Sequence, residues 1–565
     1  MKPIVRNESA INRSTTRDTL KDCIFLSFAV ALSVIQYVYS LGFYSDDWVF
    51  FSNFRRLDSI PFLSFLQTIV VQDEWARIRP VQLLYLGTLY RAFGINPLGY
   101  HLVNAVVFTA AIIFFYLVLR RLNQSRLVAV VLPLVYAMLP HYSTDRFWIA
   151  AFQANLSVCF YFINFYALLR ALDSRSLFKW KWMLLSIISV FASCLAYEVA
   201  MPLFALNLFI IFYRTHKFDT TIKDKGQVKI AMLFVSNIVA LILVVAFKAL
   251  VSQRTGKFSI SSYVLWIMSI VKQATIVNYV YYGLFLPHVA WNATYYYTSG
   301  LSIMLATILG GTVFLYLYYL NRYSGIKLPN TTEWVKLFAL SFIVFGSGYA
   351  IFATNTEVGF HKTGITNRTA VAAAIGVAMT FVSSVGLLSS LISNESIRKQ
   401  FFGLVVVLLC MCGFLINNAI GAFWVSAFQR QQEVLAGIQE HFPAPPAGST
   451  IILDGVCPYV GPGIVFDNQW DLRAALRLTY GDSTLEADIV RPNLKIEEQG
   501  ISTSSYEQWK AFHPFSEKLF LYHFGQRNIY RLTNAETARR YFETSNPGYD
   551  NGCPPGREGV GVAIF

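Results

Sequence analysis

The sequence predicts an all-α polytopic membrane protein with a C-terminal α/β domain outside the membrane. Of the 565 residues, 55% are hydrophobic and only 14% are charged, whereas a typical soluble domain carries about 25% charged residues. Apolar runs of about 20 residues recur along the chain, which is the length that a helix needs to cross a bilayer. Aromatic residues make up 16% of the chain, as expected where Trp and Tyr gather at membrane interfaces.

The net charge of +14 indicates membrane topology rather than nucleic-acid binding, because Lys and Arg cluster in short loops between apolar runs. Placing these loops and the N-terminal segment 1–22 in the cytoplasm of a bacterial inner membrane satisfies the positive-inside rule. No Gly-rich phosphate loop, zinc-ligand spacing or nucleic-acid motif occurs. The clusters are Arg120, Arg121 and Arg126; Arg170, Arg175, Lys179 and Lys181; Arg214, Lys217, Lys223, Lys225 and Lys229; Arg322 and Lys327; and Arg398 and Lys399.

The membrane module is predicted to span residues 23–422 and to contain about eleven helices of ~17–25 residues each, two of them short. The first run follows a basic stretch and is too long for a signal-peptide core, so we predict a retained helix. The predicted spans are 23–43, 100–120, 127–141, 150–169, 181–197, 199–213, 229–251, 299–320, 335–354, 368–392 and 402–422.

Two regions of the module do not fit simple spans. Residues 44–99 are mixed in polarity, with helical apolar spacing at Phe62–Val71 and Val81–Leu89, which predicts an external loop with helices on the membrane surface. Tyr263–Leu286 is long enough to span, but a crossing there would invert every later basic loop. The charge rule therefore predicts a re-entrant or interfacial segment.

The part from 423 to 565 is predicted to lie outside the cytoplasm as a separate α/β domain. A Pro/Gly linker at 444–448 precedes Thr450–Leu453, which has the composition of a buried strand. Helical spacing follows at Asp471–Tyr480, and Lys518–Leu532 predicts two strands around a turn at 525–528. In an oxidising compartment, Cys457 and Cys553 are candidates for a disulfide.

The chemistry-bearing stretch is GFYSDDWVFF at residues 42–51, where the first apolar run meets water. A carboxylate there can act as general base towards a hydroxyl acceptor, and a leaving group that is already a phosphate needs no general acid. Such a reaction needs external cations to hold the phosphate. Arg suits this contact through bidentate hydrogen bonds, and Lys through its point charge. The outer-loop candidates are Arg55, Arg56, Arg77, Arg79, Arg146, His361, Lys362 and Arg368. A blander interpretation is that the acids are simply solvated and the arginines anchor at lipid headgroups.

The run from SDDW through RIRPVQLLYLGTLYRAFGINPLGYHLVNAVVF to LRRL resembles the opening of integral-membrane glycosyltransferases with the GT-C fold, which include protein O-mannosyltransferases and lipid A aminoarabinose transferases. The shared features are the acidic pair Asp46–Asp47, the Arg79–Pro80 step, and NPLGYHLVN from Asn96 to Asn104. HYSTDRFWIAAFQANL is similar to the second external loop of that superfamily, LAYEVAMPL to its Lys-Glu tip, and TGITNRTAVAAAIG to the opening of a late span.

The resemblance implies transfer of a sugar from a polyprenyl-phosphate carrier to an envelope acceptor (a glycan, lipid or protein) on the non-cytoplasmic face. It implies Asp46 as base, Asp47 as its support or as an acceptor-orienting group, and Asp145 as the acid of the second loop. Donor-phosphate candidates are Arg55, Arg79, Arg146, Lys362 and Arg368, with His101 and Glu198 as further ones. Tyr197 stands where related members carry Lys. No cofactor is required by the resemblance, although a divalent metal between Asp47 and Asp145 stays open.

Two other functions remain open from the sequence. A transporter or flippase of lipid-linked saccharide is one, although that class places charges and broken helices near the bilayer midplane. An inactive membrane scaffold that presents the C-terminal domain is the other. Lys248, near the outer end of a span, is predicted to snorkel to the interface.

Overall fold

The computed structural model describes residues 8–72, 77–173, 179–218, 225–251, 260–323, 328–354, 359–505, 509–549 and 553. Of the predicted basic-loop residues, Arg175, Lys223 and Lys327 lie outside the described residues. The same is true of positions 355–358 in the last predicted external loop. Helices dominate up to residue 441, and β-strands begin at residue 450.

The helical part contains, in chain order, α1 (Glu8–Val34), α2 (Asp46–Arg55), α3 (Phe62–Gln72), α4 (Pro80–Phe93), α5 (Pro97–Arg121), α6 (Arg126–Met138), α7 (Thr144–Phe147), α8 (Gln153–Asp173), α9 (Lys179–Ala196), α10 (Met201–Phe218), α11 (Lys225–Val251), α12 (Ile260–Thr275), α13 (Leu286–Tyr297), α14 (Gly300–Tyr323), α15 (Thr331–Ala350), α16 (Ala373–Ser390) and α17 (Glu395–His441). A π-helix, Ile276–Leu284, joins α12 to α13. Short 3-10 helices lie at Pro140–Tyr142, Ala150–Phe152, Glu198–Ala200, Ile351–Thr354 and Ile365–Ala370.

By length and composition, eight helices of the described chain can cross a membrane, and four further apolar helices are shorter. Seven of the eight overlap predicted spans, and the eighth, Tyr263–Leu284, is the segment predicted to be re-entrant or interfacial. Three of the shorter helices also overlap predicted spans, whereas the first predicted span, 23–43, is not among these helices. The first helix ends at Val34 rather than at residue 43, and turns over residues 35–40 bring Tyr37 against the ring of Phe147. Helix α6 ends at Met138, two residues before Pro140, because a residue that precedes proline disfavours helical backbone angles.

Polar contacts define the two ends of the bundle. At the basic end, Asp22 of α1 accepts hydrogen bonds from Arg126 of α6 (Nη2, 2.8 Å) and from the Tyr116 hydroxyl of α5 (2.6 Å). Tyr316 of α14 also donates to Asp22. At the opposite end, the loop end, Gln36 bonds to Ser302 just after the start of α14. Helix α14 therefore runs from the loop end to the basic end.

The segment from α12 to α13 has both of its ends near loop-end residues. Tyr263–Leu284 is long and apolar enough to cross a membrane, and its Tyr279 reaches Thr380 inside α16. Trp266 donates to the Phe352 carbonyl, the Tyr282 hydroxyl donates to the Lys362 carbonyl, and the Tyr297 ring packs on Phe423. The re-entrant or interfacial position of this segment stays a prediction.

Helix α17 has 47 residues, which corresponds to about 70 Å at 1.5 Å per residue. A bilayer core of about 30 Å uses less than half of this length. The helix therefore passes without a break through residue 423, where the sequence analysis placed the start of the outer domain. Its last turns form a stalk at the loop end.

The C-terminal domain is an α/β unit, as predicted. Its strands are β1 (Thr450–Asp454), β2 (Tyr459–Val460), β3 (Gly463–Ile464), β4 (Glu486–Ile489), β5 (Lys495–Ile496), β6 (Gly500–Ser505), β7 (Trp509–Pro514), β8 (Leu519–His523) and β9 (Asn528–Arg531), and its helices are α18 (Gln469–Tyr480) and α19 (Ala535–Ser545). The main sheet has the order β4-β1-β8-β9, with β1 parallel to both neighbours. Burial on both sides explains the apolar run of β1.

Cys457 and Cys553 form the disulfide that the sequence left as a candidate, with their Cα atoms 4.4 Å apart. The other five cysteines are unpaired and lie in the helical part.

The outer domain does not stand apart from the membrane module. Buried residues of the first loop, the α17 stalk and the α/β domain form one continuous apolar cluster, which includes Phe51, Trp424 and Ile464. Within it, Gln431 of the stalk accepts a hydrogen bond from the Trp48 indole and donates to the carbonyls of Ile464 and Val465. The first loop, the stalk and the outer domain therefore share one core.

Candidate active site

The acidic pair lies in a tight turn that opens α2. The carbonyl of Tyr44 accepts a hydrogen bond from the amide of Asp47 at 3.0 Å, and Ser45 between them has φ 45° and ψ −113°. These angles match the first central position of a type II′ turn, which is usually glycine. A serine in this conformation costs about 1–3 kcal/mol, and such strained residues cluster at functional sites.

Asp47 is fully buried and serves as the anchor of this turn. Its Oδ2 accepts from the Tyr44 amide at 2.9 Å, and its Oδ1 accepts from the amide of Ala150, in the second loop, at 2.7 Å. Burial raises the pKa of Asp47 well above its ordinary value, the amide bonds oppose that rise, and the charge of Asp46 adds to it. Asp47 therefore ties the first loop to the second, and both of its oxygens are engaged.

Asp46 is the more accessible acid of the pair, being only partly buried. It is the first residue of α2, where the partial positive charge of the helix N-terminus stabilises a carboxylate. The pair therefore divides into one acid that holds the backbone and one that is partly open.

The second loop carries a buried acid beside two arginines. Asp145 is fully buried, and neither of its carboxylate oxygens has a hydrogen-bond partner among the described residues. Burial raises its pKa well above the ordinary value, while the charges of Arg368 and Arg146 oppose the rise. A buried polar group without a partner is unusual in a folded protein and marks a functional candidate.

Trp148 connects these groups in space. The guanidinium of Arg368 lies 5.2 Å from the centre of its indole ring, and two residues further on the Ala150 amide binds Asp47. The structure thus brings Asp47, Asp145 and Arg368, three of the predicted site residues, around the single loop at 145–150.

Asn367 holds the last loop against the second, a role that the sequence analysis missed. Its Oδ1 accepts from Ser143 and from the Thr144 amide, and its Nδ2 donates to the carbonyls of His141 and Lys362. The only feature of the sequence that pointed to Asn367 was its position directly before the candidate Arg368.

Lys362 sits beside the π-helix. Its Nζ lies 3.5 Å from the ring centre of Tyr281, and burial lowers its pKa. A cation over an aromatic face is held in place without losing its charge, which leaves Lys362 suited to contact an anion.

Arg146 is almost fully buried between the rings of Phe108 and Tyr142. It donates to the carbonyls of Ala137 and Leu139, while its Nε and Nη1 have no hydrogen-bond partner among the described residues. It lines a small cavity between the end of α1 and α5. Guanidinium donors without a partner suit an anionic ligand.

Arg79 and Glu198, both predicted as donor-phosphate contacts, bind each other instead. Arg79 Nη2 lies 3.1 Å from Glu198 and its guanidinium 4.5 Å over the Tyr197 ring. Lys248 makes a second ion pair with Glu198 at 2.7 Å and donates to the Ile78 carbonyl. Lys248 therefore does not snorkel as predicted, because the partly buried carboxylate of Glu198 lies within its reach.

The charges of this cluster set the ionisation of Glu198. Burial alone would raise its pKa, but Arg79 and Lys248 together lower it to about 2. Two cations share one carboxylate, so the cluster keeps a net positive charge next to the first loop.

The two remaining candidates have other partners. Arg55 is exposed and pairs with Asp58 at 3.7 Å. The buried His101 contacts the carbonyl of Gly42 through Nε2 at 3.0 Å and thus holds the start of the first loop, a packing role.

A divalent metal between Asp47 and Asp145 does not fit the described residues. Both oxygens of Asp47 accept backbone hydrogen bonds, and the charges next to Asp145 are those of arginines. Hard divalent cations need about six oxygen ligands, and no group of three or more His, Cys, Asp or Glu with metal-binding geometry occurs in the described part of the chain.

No model of a known protein family matches the chain, and no curated protein sequence matches it. Several solved structures are similar to it at low level, among them the following three. ArnT from Cupriavidus metallidurans bound to undecaprenyl phosphate has 13% identity over 82% of this chain and 85% of its own, with a TM-score of 0.38. The apo state of the same ArnT has 11% identity over 83% of this chain and 85% of its own, with a TM-score of 0.36.

The Archaeoglobus fulgidus oligosaccharyltransferase tethered to an acceptor peptide has 12% identity over 82% of this chain and 63% of its own, with a TM-score of 0.37. All three TM-scores lie below 0.5, so the activity of this chain does not follow from these similarities. The function must be inferred from the site.

Proposed function

We propose that the chain is a membrane glycosyltransferase that moves a sugar from a polyprenyl-phosphate carrier to an envelope acceptor on the non-cytoplasmic face. The observation that carries the proposal is that the two acids of the turn differ in burial and in their hydrogen bonds. Asp47 is buried and fixes the backbone to the second loop, and the adjacent Asp46 stays partly exposed at the head of α2. The resemblance of the SDDW segment to GT-C enzymes supports the same assignment.

The proposed reaction is a single displacement. Asp46 takes the proton of an acceptor hydroxyl as the hydroxyl oxygen attacks the anomeric carbon. The bond from that carbon to the carrier phosphate breaks, and the phosphate leaves with the electron pair. A displacement from the opposite side inverts the anomeric centre.

The developing phosphate charge requires cations. Arg368 and Lys362 are the proposed contacts, because each lies against an aromatic face, and Arg368 also lies beside the buried Asp145. Arg146, whose Nε and Nη1 have no hydrogen-bond partner by geometry among the described residues, is the third proposed contact. The proposal gives structural roles to three other candidates. Arg79 pairs with Glu198, Arg55 pairs with Asp58, and His101 contacts a backbone carbonyl.

The test is mass spectrometry of envelope glycans and lipids from a strain that lacks the protein. We expect one sugar modification to disappear and a polyprenyl-phosphate sugar to accumulate. The full-length chain should restore the product, whereas Asp46→Asn should not, at equal membrane levels. Asp58→Asn is the matched control, since Asp58 lies in the same loop but contacts Tyr90 and Arg55.

Restoration of the product by Asp46→Asn would overturn the proposal. Transport of the lipid-linked sugar without a glycosidic product would favour the transporter hypothesis instead. A scaffold function would be favoured if deleting residues from 444 onward reproduced the deletion phenotype while Asp46 proved dispensable.

A further inference from the structure

We infer that the C-terminal domain positions the catalytic turn through Asp467, which would make this domain part of the transferase site rather than an appendage. The inference rests on the proposed function of Asp46. It starts from one contact between distant parts of the chain. The hydroxyl of Ser45, in the first loop, donates to Oδ1 of Asp467, in the outer domain, at 3.3 Å.

Ser45 is the residue of the turn that most needs support. Its φ of 45° is one that residues with a Cβ avoid. Its side chain makes no capping bond to α2, so the local sequence does little to hold the conformation. Because Ser45 directly precedes Asp46, a change in its backbone angles would move the proposed base.

Asp467 is itself held in a fixed position. It is buried, and its Oδ2 accepts from the Tyr459 hydroxyl at 3.2 Å. Its amide donates to Asp471 at 2.8 Å, and Arg491 donates to its carbonyl. A group fixed on all sides by its own domain can impose a geometry on its partner.

The outer domain also packs directly against the first loop. Helix α18, which follows Asp467, packs against α2, and Gln431 ties Trp48 to the backbone of β3. The Tyr44 hydroxyl donates to the Trp424 carbonyl of the stalk at 2.8 Å. The turn is thus held by the second loop through Asp47, and by the stalk and outer domain through Tyr44 and Ser45.

A glycine at position 45 provides the sharpest test, because glycine adopts positive φ without strain and should not need the clamp. The experiment measures the initial rate at which the envelope sugar reappears after induction in the deletion strain, at matched membrane levels. We expect Asp467→Ala to lower the rate about tenfold in the Ser45 background, since small displacements of reacting groups cost factors of this order or more. In the Ser45→Gly background, Asp467→Ala should change the rate less than twofold.

Two further variants distinguish a positioning role of Asp467 from a general loss of structure in the outer domain. Asp467→Asn should retain the rate, because its amide oxygen can still accept from Ser45. Glu517→Ala, which removes an exposed acid of the same domain that pairs with Arg531, is the matched control and should have no effect.

Hydrogen–deuterium exchange of the purified full chain provides a readout that does not depend on activity. Asp467→Ala should speed exchange in the peptide covering residues 44–49, and Ser45→Gly should suppress that increase. Equal effects of Asp467→Ala in both backgrounds, in rate and in exchange, would overturn the inference. Failure of the proposed function would be recognised separately, by an active Asp46→Asn variant.

Discussion

The carboxylate of Asp47 and the backbone amide of Ala150 are joined by a 2.7 Å hydrogen bond across 103 residues of sequence. This bond fixes the acidic turn of the first loop to the loop that carries Asp145 and Trp148. Of the two neighbouring acids in the SDDW segment, Asp47 therefore has a structural role, while Asp46 stays partly accessible.

Asp47→Asn should destabilise the protein. An asparagine offers one oxygen and one amide group, so one of the two buried amides that Asp47 binds would face another donor. We expect the free energy of unfolding to fall by about 1–3 kcal/mol, the cost of a buried polar group left without a partner. Thermal unfolding in detergent measures the change. Asp58→Asn, in an exposed position of the same loop, should unfold like the parent protein.

The Glu198 cluster should make stability depend on acid pH. Its pKa is lowered from 4.5 to about 2, so its contribution is complete above pH 4.5 and is lost as the pH falls towards about 2. Unfolding measured between pH 6 and pH 3 should show this loss in the parent protein and not in Glu198→Gln. An unchanged pH profile in that variant would contradict the assignment.

Removing partners of the same cluster should have unequal effects. Glu198→Gln leaves Arg79 and Lys248 next to each other without an anion, whereas Lys248→Met leaves the Arg79–Glu198 pair intact. Breaking a buried ion pair on one side costs up to about 3–5 kcal/mol, and the partial exposure of these groups reduces that value. We expect Glu198→Gln to lower the melting temperature more than Lys248→Met. The reverse order would show that the two cations do not share the carboxylate.

Asp145→Asn should affect activity more than stability. Its carboxylate oxygens have no hydrogen-bond partner among the described residues, so a neutral amide of the same size removes no hydrogen bond. We expect a similar melting temperature and a loss of product of about 100-fold, as for a misplaced reacting group. Envelope mass spectrometry and thermal unfolding measure the two effects.

Asp454→Asn should have the opposite effect to Asp145→Asn, affecting stability more than activity. Asp454 is also buried, but it accepts hydrogen bonds from Tyr541, Asn546 and the Gly455 amide. This variant should lower stability by about 1–3 kcal/mol without a direct effect on transfer. A strong stability loss in Asp145→Asn would argue against a functional acid in the second loop.

The Cys457–Cys553 bond should stabilise the outer domain and report its compartment. The two residues are 96 positions apart, and closing a loop of about 100 residues contributes up to about 4.7 kcal/mol in the chain-entropy model. Alkylation in native membranes without reductant should leave both thiols unlabelled. Labelling of both would place the domain in a reducing compartment and contradict the predicted external location.

The sequence by itself determined the helices and the outer domain. Apolar length, basic loops and the Pro/Gly linker are local signals, because bilayer thickness and backbone propensity act on contiguous residues. They predicted helices such as α5 and α14 within a few residues and the buried strand β1. The acidic pair was also recognisable, since charge at the end of an apolar run is visible locally.

Only the tertiary structure decided which polar groups pair with one another. The bonds of Asp47 to Ala150, of Asn367 to His141 and of Glu198 to Lys248 join residues that lie far apart in sequence. A buried polar side chain takes whichever donor or acceptor the packing brings within about 3 Å, and no local pattern encodes that choice. For this reason Asp47 became a structural anchor, Arg79 an ion-pair partner and Asp467 a positioning residue only once the chain was folded.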